Sequence, residues 1–278
     1  MERSKVLTVI SLGVGVQSST MALMSAKGVL PKVDCAIFAD TGYEPKKVYE
    51  YLKWIKTQLP FPVYTVEKGN IKDDMLNSIS NGTRFLVAPF YTKNSITGKK
   101  GMVMRQCTND YKIQPIRKKI RELCNITYGK HFPKDKFVDQ WIGISMDEIS
   151  RMKPARDKYI NNVHPLIDLK MSRSDCLKWM SANAFPLPEK SACICCPFHD
   201  DKYWYFMKHN RPEEFADAVE FEVIQISAVG LMKRWFPTKV PTDIEKWAEI
   251  AYEDVIAVLR ALHEKGYTIN QSDERTDK

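Results

Sequence analysis

The densest group of chemically capable residues in the sequence is Ser191-Ala192-Cys193-Ile194-Cys195-Cys196-Pro197-Phe198-His199. Cys193 and Cys196 form a C-x-x-C pair closed by Pro197, and sixteen residues separate Cys176 from Cys193. Thiolates so spaced suit a [4Fe–4S] cluster, a structural Zn²⁺ or a redox pair. Cys195 is an alternative ligand or a catalytic thiol, and His199 is able to replace a thiolate. A second group is Arg105-Gln106-Cys107-Thr108-Asn109-Asp110-Tyr111-Lys112. The guanidinium of Arg105 offers a bidentate fork and Lys112 a point charge, both matched to phosphate or sulfonate oxygens. Cys107 between them reads equally as a cluster ligand, a nucleophile or a small buried side chain. Lys112, Arg117, Lys118, Lys119 and Arg121 extend the basic run, with Lys99 and Lys100 just before it.

A third stretch carries neither thiols nor cations. The apolar run Val6 to Ile10 passes into Ser11-Leu12-Gly13-Val14-Gly15-Val16-Gln17-Ser18-Ser19, and that loop passes into the helical pattern Met21-Ala22-Leu23-Met24. A strand, a small-residue turn and a helix N-terminus together form an anion cradle, because backbone N–H groups point outward and the helix dipole favours negative charge. Gly13 and Gly15 allow close approach of an oxygen, and Ser18 and Ser19 add hydroxyl donors and an expected helix cap. The loop lacks the Lys of a Walker P-loop, and Ser18 stands at the third glycine of the dinucleotide fingerprint, so it is neither.

Alternating elements position these groups. The pattern predicts a helix over Ser18–Lys27 closed by Gly28, a buried strand over Val33–Ala39, a helix from Glu44-Pro45 to Gln58 with Tyr49, Leu52, Trp54 and Ile55 inward, and a strand over Phe61–Val66. That βαβαβ order predicts a doubly wound parallel sheet, whose ligands lie beyond the carboxyl ends of its strands. The Ser11–Ser19 loop and Asp40-Thr41-Gly42 both fall there. Asp40 suits a ribose or a metal ion, or is a turn residue. Further along, Ile71–Ile79 reads as a short helix, Asn81-Gly82 as a turn, Thr92–Gly101 as an exposed mobile loop and Ile116–Leu123 as a helix begun by Pro115. Val138–Ile144 reads as another strand and His164–Ile167 as an extended piece. Ser172 caps a helix over Arg173–Ala182, and the aromatic segment Asp200–Lys208 is expected to pack over the cysteine site, as hydrophobic core in preference to base stacking. Helices are expected from Arg211 to Ile226 and over Asp243–Lys265, with a polar tail over Asn270–Lys278. Two regions are expected: residues 1–165, a nucleotide-binding α/β domain, and 166–278, a cysteine-bearing, mostly helical part.

Composition bounds the class. The chain has 278 residues, 44% hydrophobic and 27% charged, which is ordinary for a globular protein. No apolar run is long enough to span a membrane, and the chain enters its first strand without a signal-peptide core, so a cytoplasmic location is expected. In a reducing compartment the seven cysteines argue for metal, cluster or redox roles over disulfides. Cys35 and Cys124 lie in apolar patterns and read as core. The net charge of +8 suits an anionic partner such as nucleotide or nucleic acid.

The loop from Ser11 to Ser19 resembles a longer variant of the PP-loop, S-G-G-x-D-S, of the ATP pyrophosphatase superfamily, with Leu12 in place of a glycine and Gln17 where many members carry Asp. Asp40-Thr41-Gly42-Tyr43-Glu44-Pro45 resembles the D-T-G loop of phosphoadenosine phosphosulfate (PAPS) reductases. The spacing R-x-C-x-x-x-x-K-x-x-P from Arg105 to Pro115 is similar to a segment of those reductases and of the sulfur-inserting enzyme of DNA phosphorothioation systems. Gly143-Ile144-Ser145-Met146-Asp147-Glu148-Ile149-Ser150-Arg151 resembles their G-I-x-x-D-E-x-x-R segment. The spacing of Cys176, Cys193 and Cys196 is similar to the cluster-bearing segment of the phosphorothioation enzyme, and C-x-x-C-P resembles ferredoxin-type ligation.

The resemblance covers about residues 5–225 and implies a fold like that of the adenine nucleotide alpha-hydrolases. It implies that Ser11, Gly13, Gly15, Gln17, Ser18, Ser19, Asp40, Thr41, Gly42 and Gly143 bind ATP or a PAPS-like nucleotide. Arg105 and Lys112 would neutralise developing charge, and Asp147 and Glu148 would orient phosphate groups or carry Mg²⁺, unless they form an ordinary acidic turn paired with Arg151. Cys107, Cys176, Cys193 and Cys196 would ligate a [4Fe–4S] cluster, with Zn²⁺ as the alternative and Cys195 as a catalytic thiol. The expected activity is adenylation of a substrate with pyrophosphate release, serving sulfur transfer or modification of DNA or tRNA, with a sulfur donor protein as a possible partner and a homo-oligomer as a possible state. Sulfonucleotide reduction is the first alternative, although the C-terminal cysteine nucleophile of those reductases has no counterpart after Cys196. A nucleotide sensor without catalysis is the second.

Overall fold

The computed structural model describes residues 3–80, 91–93, 100–102, 106–127 and 129–221. In chain order its elements are β1 (Ser4–Ser11), α1 (Val16–Ala26), β2 (Cys35–Asp40), α2 (Lys46–Gln58), β3 (Val63–Glu67), α3 (Ile71–Ser80), β4 (Tyr91–Lys93), β5 (Lys100–Met102), α4 (Gln114–Leu123), β6 (Lys136–Ile142), β7 (Ile160–Val163), α5 (Pro165–Asp168), α6 (Arg173–Ala182) and α7 (Asp201–Asn210). A further helix covers 212–221. The chain divides into two compact units, one joining Met1–Lys68 to Thr108–Cys193, the other joining Gly69–Cys107 to Ile194–Lys278. The units interleave in sequence, and α5 and α6 belong to the sheet-bearing unit.

In that unit β1, β2, β3, β6 and β7 form a five-stranded sheet in the order β3-β2-β1-β6-β7, and every pairing is parallel. The fold is therefore the expected α/β doubly wound class. Side-chain alternation along the strands divides the core between two faces. Ile10, Ala36, Phe38 and Trp141 pack with residues of α1, α2 and α6, including Leu23, Ile55 and Met180. Val9, Cys35, Ile37, Ala39 and Val138 turn the other way, onto Ile116 and Ile120 of α4. Burial on both faces explains why β2 reads as an unbroken apolar run, Cys-Ala-Ile-Phe-Ala.

Several expectations change. The buried face of α2 is Val48, Tyr51, Leu52 and Ile55, the i, i+3, i+4, i+7 stripe. Tyr49 lies off that stripe and donates to Asp40. Ile160–Val163, which sequence patterning missed, is an edge strand pairing with β6. Its Asn161-Asn162 centre hides the β signal. The extended piece expected at His164–Ile167 is instead the short helix α5, begun by Pro165. The helix begun near Pro115 is present as α4, but a π-helical turn over Thr108–Ile113 leads into it. Ser172 caps α6 as expected, in a capping box with Asp175.

In the other unit, Tyr91–Lys93 and Lys100–Met102 pair antiparallel, so the ends of the expected Thr92–Gly101 loop are strands. The aromatic segment is the helix α7, and it is not simply core. Met207 is buried, while Tyr205 is 68% and Phe206 41% exposed. Asn81-Gly82, Ile226, the Asp243–Lys265 helix and the Asn270–Lys278 tail lie outside the described residues. Among the described residues no helix is long and apolar enough to cross a membrane.

Candidate functional site

The order β3-β2-β1-β6-β7 places the topological switch point between β1 and β6, where connections leave in opposite directions and a crevice opens at the carboxyl ends. The loop after β1 lies there. Gly15 is the N-cap of α1, no side chain caps it, and the first turn contains no acidic residue. The first helical bond runs from Ser19 N–H to the Gly15 carbonyl at 3.0 Å. The N–H groups of Val16, Gln17 and Ser18 therefore have no intrahelical acceptor. Ser18 does not cap the helix as expected; its hydroxyl donates back to the Gly15 carbonyl at 3.3 Å. Ser19 is fully buried and its Oγ has no hydrogen-bond partner in the structure.

Two backbone features shape the cradle. Val14 has φ +59°, a left-handed conformation that a β-branched residue adopts only under strain. Its side chain is nonetheless 1% exposed and seated in the core with Leu12 and Val16, so packing holds the strained turn. Gly143, directly after β6, meets the start of α1. A Cβ there would stand 2.7 Å from Ser18 N, 2.9 Å from Ser18 Cα and 3.1 Å from Gln17 C. Only glycine allows this approach, so Gly143 acts on the loop by letting the chain after β6 lie against the helix terminus.

The segment after Gly143 makes a polar wall. Gln17 Nε2 donates to Ser145 Oγ and to Glu148 Oε2, each at 3.4 Å, and Arg151 donates to Glu148 at 2.7 Å. Asp147 Oδ1 accepts the Arg173 N–H at 2.8 Å, tying this turn to the start of α6. Burial alone would raise the Asp147 pKa, but hydrogen bonds from Arg173 and Ser145 outweigh it and bring it below the usual value. Asp147 thus anchors a helix end, and Glu148 forms the i,i+3 pair with Arg151 while holding Gln17.

After β2, Asp40 Oδ1 accepts from the Gly42 N–H and the Tyr49 hydroxyl, both at 2.8 Å. Gly42 has φ +70°, so the Asp40-Thr41-Gly42 turn has a structural role for each member. Burial, then the bond to Asp40, pushes the Tyr49 phenol well above its ordinary pKa. Thr41 Oγ1 lies 3.2 Å from Cys193 Sγ. Glu44, which sequence reasoning did not single out, is buried and pairs with Lys112 Nζ at 3.1 Å. Its other oxygen accepts from Ser191 Oγ at 3.3 Å. An acidic residue two positions past the D-T-G turn was the only signal for it.

Much of the basic run serves the fold. Arg117 pairs with Asp157, Lys119 pairs with Glu122 at 2.6 Å and covers the Tyr64 ring, and Arg121 donates to the Lys130 carbonyl at 2.5 Å. Arg105 lies outside the described residues. His164, at the end of β7, is 8% exposed and its Nε2 has no partner in the structure. Burial lowers its pKa, opposed by Asp168.

Of the expected cluster ligands, Cys176 and Cys193 belong to the sheet-bearing unit, and Cys107 and Cys196 to the other, as does Cys195. None of the seven cysteines is in a disulfide. Cys176 is fully buried in the apolar cluster of α1 and α6, and burial pushes its thiol up to about 11. Cys35 is core, as expected, with its thiol pushed up to about 12 by burial. Cys124 packs against the same cluster. Among the described residues no three His, Cys, Asp or Glu side chains are grouped so as to hold a metal ion. The expected set is thus divided between the two units, and burial keeps the Cys176 thiol protonated at neutral pH.

The fold and loop together define a parallel α/β domain with an uncapped helix N-terminus at its switch point. The chain matches no family model and no curated protein. Among solved structures it is similar to phosphoadenylyl-sulfate (PAPS) reductase from Candida auris in its phosphate complex. The identity is 11%, the match covers 68% of this chain and 81% of that one, and the TM-score is 0.43.

Proposed function

We propose that the sheet-bearing unit binds an adenine nucleotide, with ATP as substrate, and adenylates an acceptor with release of pyrophosphate. The observation that carries this reading is the α1 terminus at the switch point, with no side-chain cap and the Gly143 backbone packed onto it. Three N–H groups and the helix dipole meet the phosphates there. Lys112 supplies positive charge to the leaving pyrophosphate. The Gln17–Ser145–Glu148 network fixes the far wall, so that the phosphates meet a prearranged set of donors. Glu148, which accepts from Gln17 of the loop, would help to hold a Mg²⁺ that offsets phosphate charge.

A [4Fe–4S] cluster, or Zn²⁺ in its place, is proposed from cysteine spacing alone. The adenylation chemistry does not depend on it. DNA or tRNA as the acceptor, a sulfur donor protein and a homo-oligomer belong to the same proposal.

The test is calorimetric titration with Mg²⁺-ATP followed by pyrophosphate–ATP exchange in the presence of candidate acceptors. Saturable ATP binding with exchange supports adenylation. Binding without exchange across all acceptors leaves nucleotide sensing, and no ATP binding refutes the proposal. Iron, zinc and sulfide analysis of anaerobically purified protein decides the cluster separately.

A further inference from the structure

Glu44 is a carboxylate whose side chain has no exposed surface, and its partner Lys112 keeps 35% of its own. The two Glu44 oxygens do different work. Oε1 holds the Lys112 ammonium at 3.1 Å, and Oε2 accepts the Ser191 hydroxyl at 3.3 Å. Ser191 in turn borders the anion cradle, since its Cβ is 4.0 Å from the place a Cβ would occupy on Gly15. Two residues on, Cys193 meets Thr41 of the same post-β2 turn at 3.2 Å. The π-helical turn, the post-β2 turn and the Ser191–Cys193 segment thus converge on one buried carboxylate beside the loop.

Burying a carboxylate without a partner is costly, and a lysine on a four-carbon stem is otherwise free to sample many positions. Each residue therefore constrains the other. We infer that Glu44 is a positioning residue: it fixes where the Lys112 charge stands beside the cradle, and Ser191 fixes Glu44. The group Lys112 serves is the terminal, pyrophosphate end of a nucleoside triphosphate, as distinct from the single phosphate of a monophosphate. The inference rests on the nucleotide reading above.

Charge counting and positioning predict opposite signs. Replacing Glu44 by Gln removes a negative charge near the phosphates, which on charge alone tightens ATP binding. If Glu44 positions Lys112, the same change weakens it. The experiment is calorimetric titration of Mg²⁺-ATP and AMP into wild type, Glu44→Gln, Ser191→Ala and Ser191→Thr, each checked for native circular dichroism. Glu44→Gln is expected to weaken ATP at least tenfold and AMP less than twofold. Ser191→Ala should weaken ATP a few-fold, and Ser191→Thr, which keeps the hydroxyl, should recover most of that loss. If Glu44→Gln does not fold, the Ser191 pair carries the test: neither substitution changes a charge, so a loss of ATP affinity in Ser191→Ala that Ser191→Thr restores reports positioning, and no loss overturns the inference. Equal or tighter ATP binding in Glu44→Gln, or equal losses for ATP and AMP, overturns the inference alone. Wild-type protein that binds neither nucleotide overturns the nucleotide reading and this inference with it.

Discussion

Substituting Gly143 by Ala adds one methyl group where the chain after β6 meets the start of α1. The new Cβ would meet backbone, at 2.7 Å from Ser18 N and 2.9 Å from Ser18 Cα. Backbone cannot rotate away as a side-chain tip can. Restoring an ordinary contact of 3.4 Å from 2.7 Å requires the helix terminus or the β6 end to move by about 0.7 Å. Overpacking of this kind costs about 1–3 kcal/mol of stability. The same displacement draws the Ser18 N–H from ~2.9 Å out of hydrogen-bond range of a bound phosphate oxygen. A hydrogen bond to a charged group contributes about 1.5–3 kcal/mol, so ATP affinity should fall by roughly tenfold to a hundredfold. Urea unfolding measures the first effect and calorimetric titration the second. Gly13→Ala is the stability control, because its Cβ would meet only Ser18 Oγ, at 3.7 Å. A Gly143→Ala protein with the wild-type urea midpoint and wild-type ATP affinity would refute the claim that this contact shapes the cradle.

Three further outcomes are expected. Val14→Gly relieves about 1–3 kcal/mol of left-handed strain while forfeiting about 1.5–3 kcal/mol of side-chain burial, so urea unfolding should place it within about 1 kcal/mol of wild type. Val138→Gly, buried on a regular strand with no such relief, should lose about 3 kcal/mol. The raised thiols of Cys35 and Cys176 keep their protons in the native state while the unfolded chain releases them above the ordinary 9.0, so stability falls as pH climbs from about 9 towards 11. Cys35→Ala should flatten that alkaline limb, and native protein should resist thiol reagents at both positions until urea is added. His164 works in the opposite direction: with its pKa lowered from 6.5, the native state stays neutral while the unfolded chain takes up a proton, so stability is lost as pH falls below about 6.5. His164→Gln should remove that part of the acid limb, and an unchanged acid profile would exclude the contribution.

The parallel sheet was legible because β2 is buried on both faces and carries an unbroken apolar run, because the second half of β1 is apolar and buried, and because α1 and α2 lie between strands at short spacing. β7 was not legible, since an edge strand with Asn161-Asn162 at its centre satisfies its backbone without the β-branched residues that mark a strand. The Ser11–Ser19 loop was found from its small residues, but its geometry was not. The strain at Val14 and the role of Gly143 arise from contacts between segments far apart in sequence. Glu44 was missed for the same reason, since its partners Lys112 and Ser191 are distant along the chain. The basic run misled in part, because charge counting does not reveal that Arg117 is spent on distant Asp157 and that Lys119 and Arg121 are spent on neighbours in the chain.

The order β3-β2-β1-β6-β7 also sets a schedule for assembly. β1 finds β2 early, with Val9 beside Cys35, but its other edge waits for β6, where Val9 pairs with Gln140. Between them the chain makes its excursion through Gly69–Cys107 into the other unit. During synthesis the central strand therefore stands with one edge unpaired until about half of the chain has emerged. Closing so long a loop is slow, and an open β1 edge is a template for intermolecular pairing. The yield of soluble protein should thus depend on how quickly β6 arrives as much as on final stability.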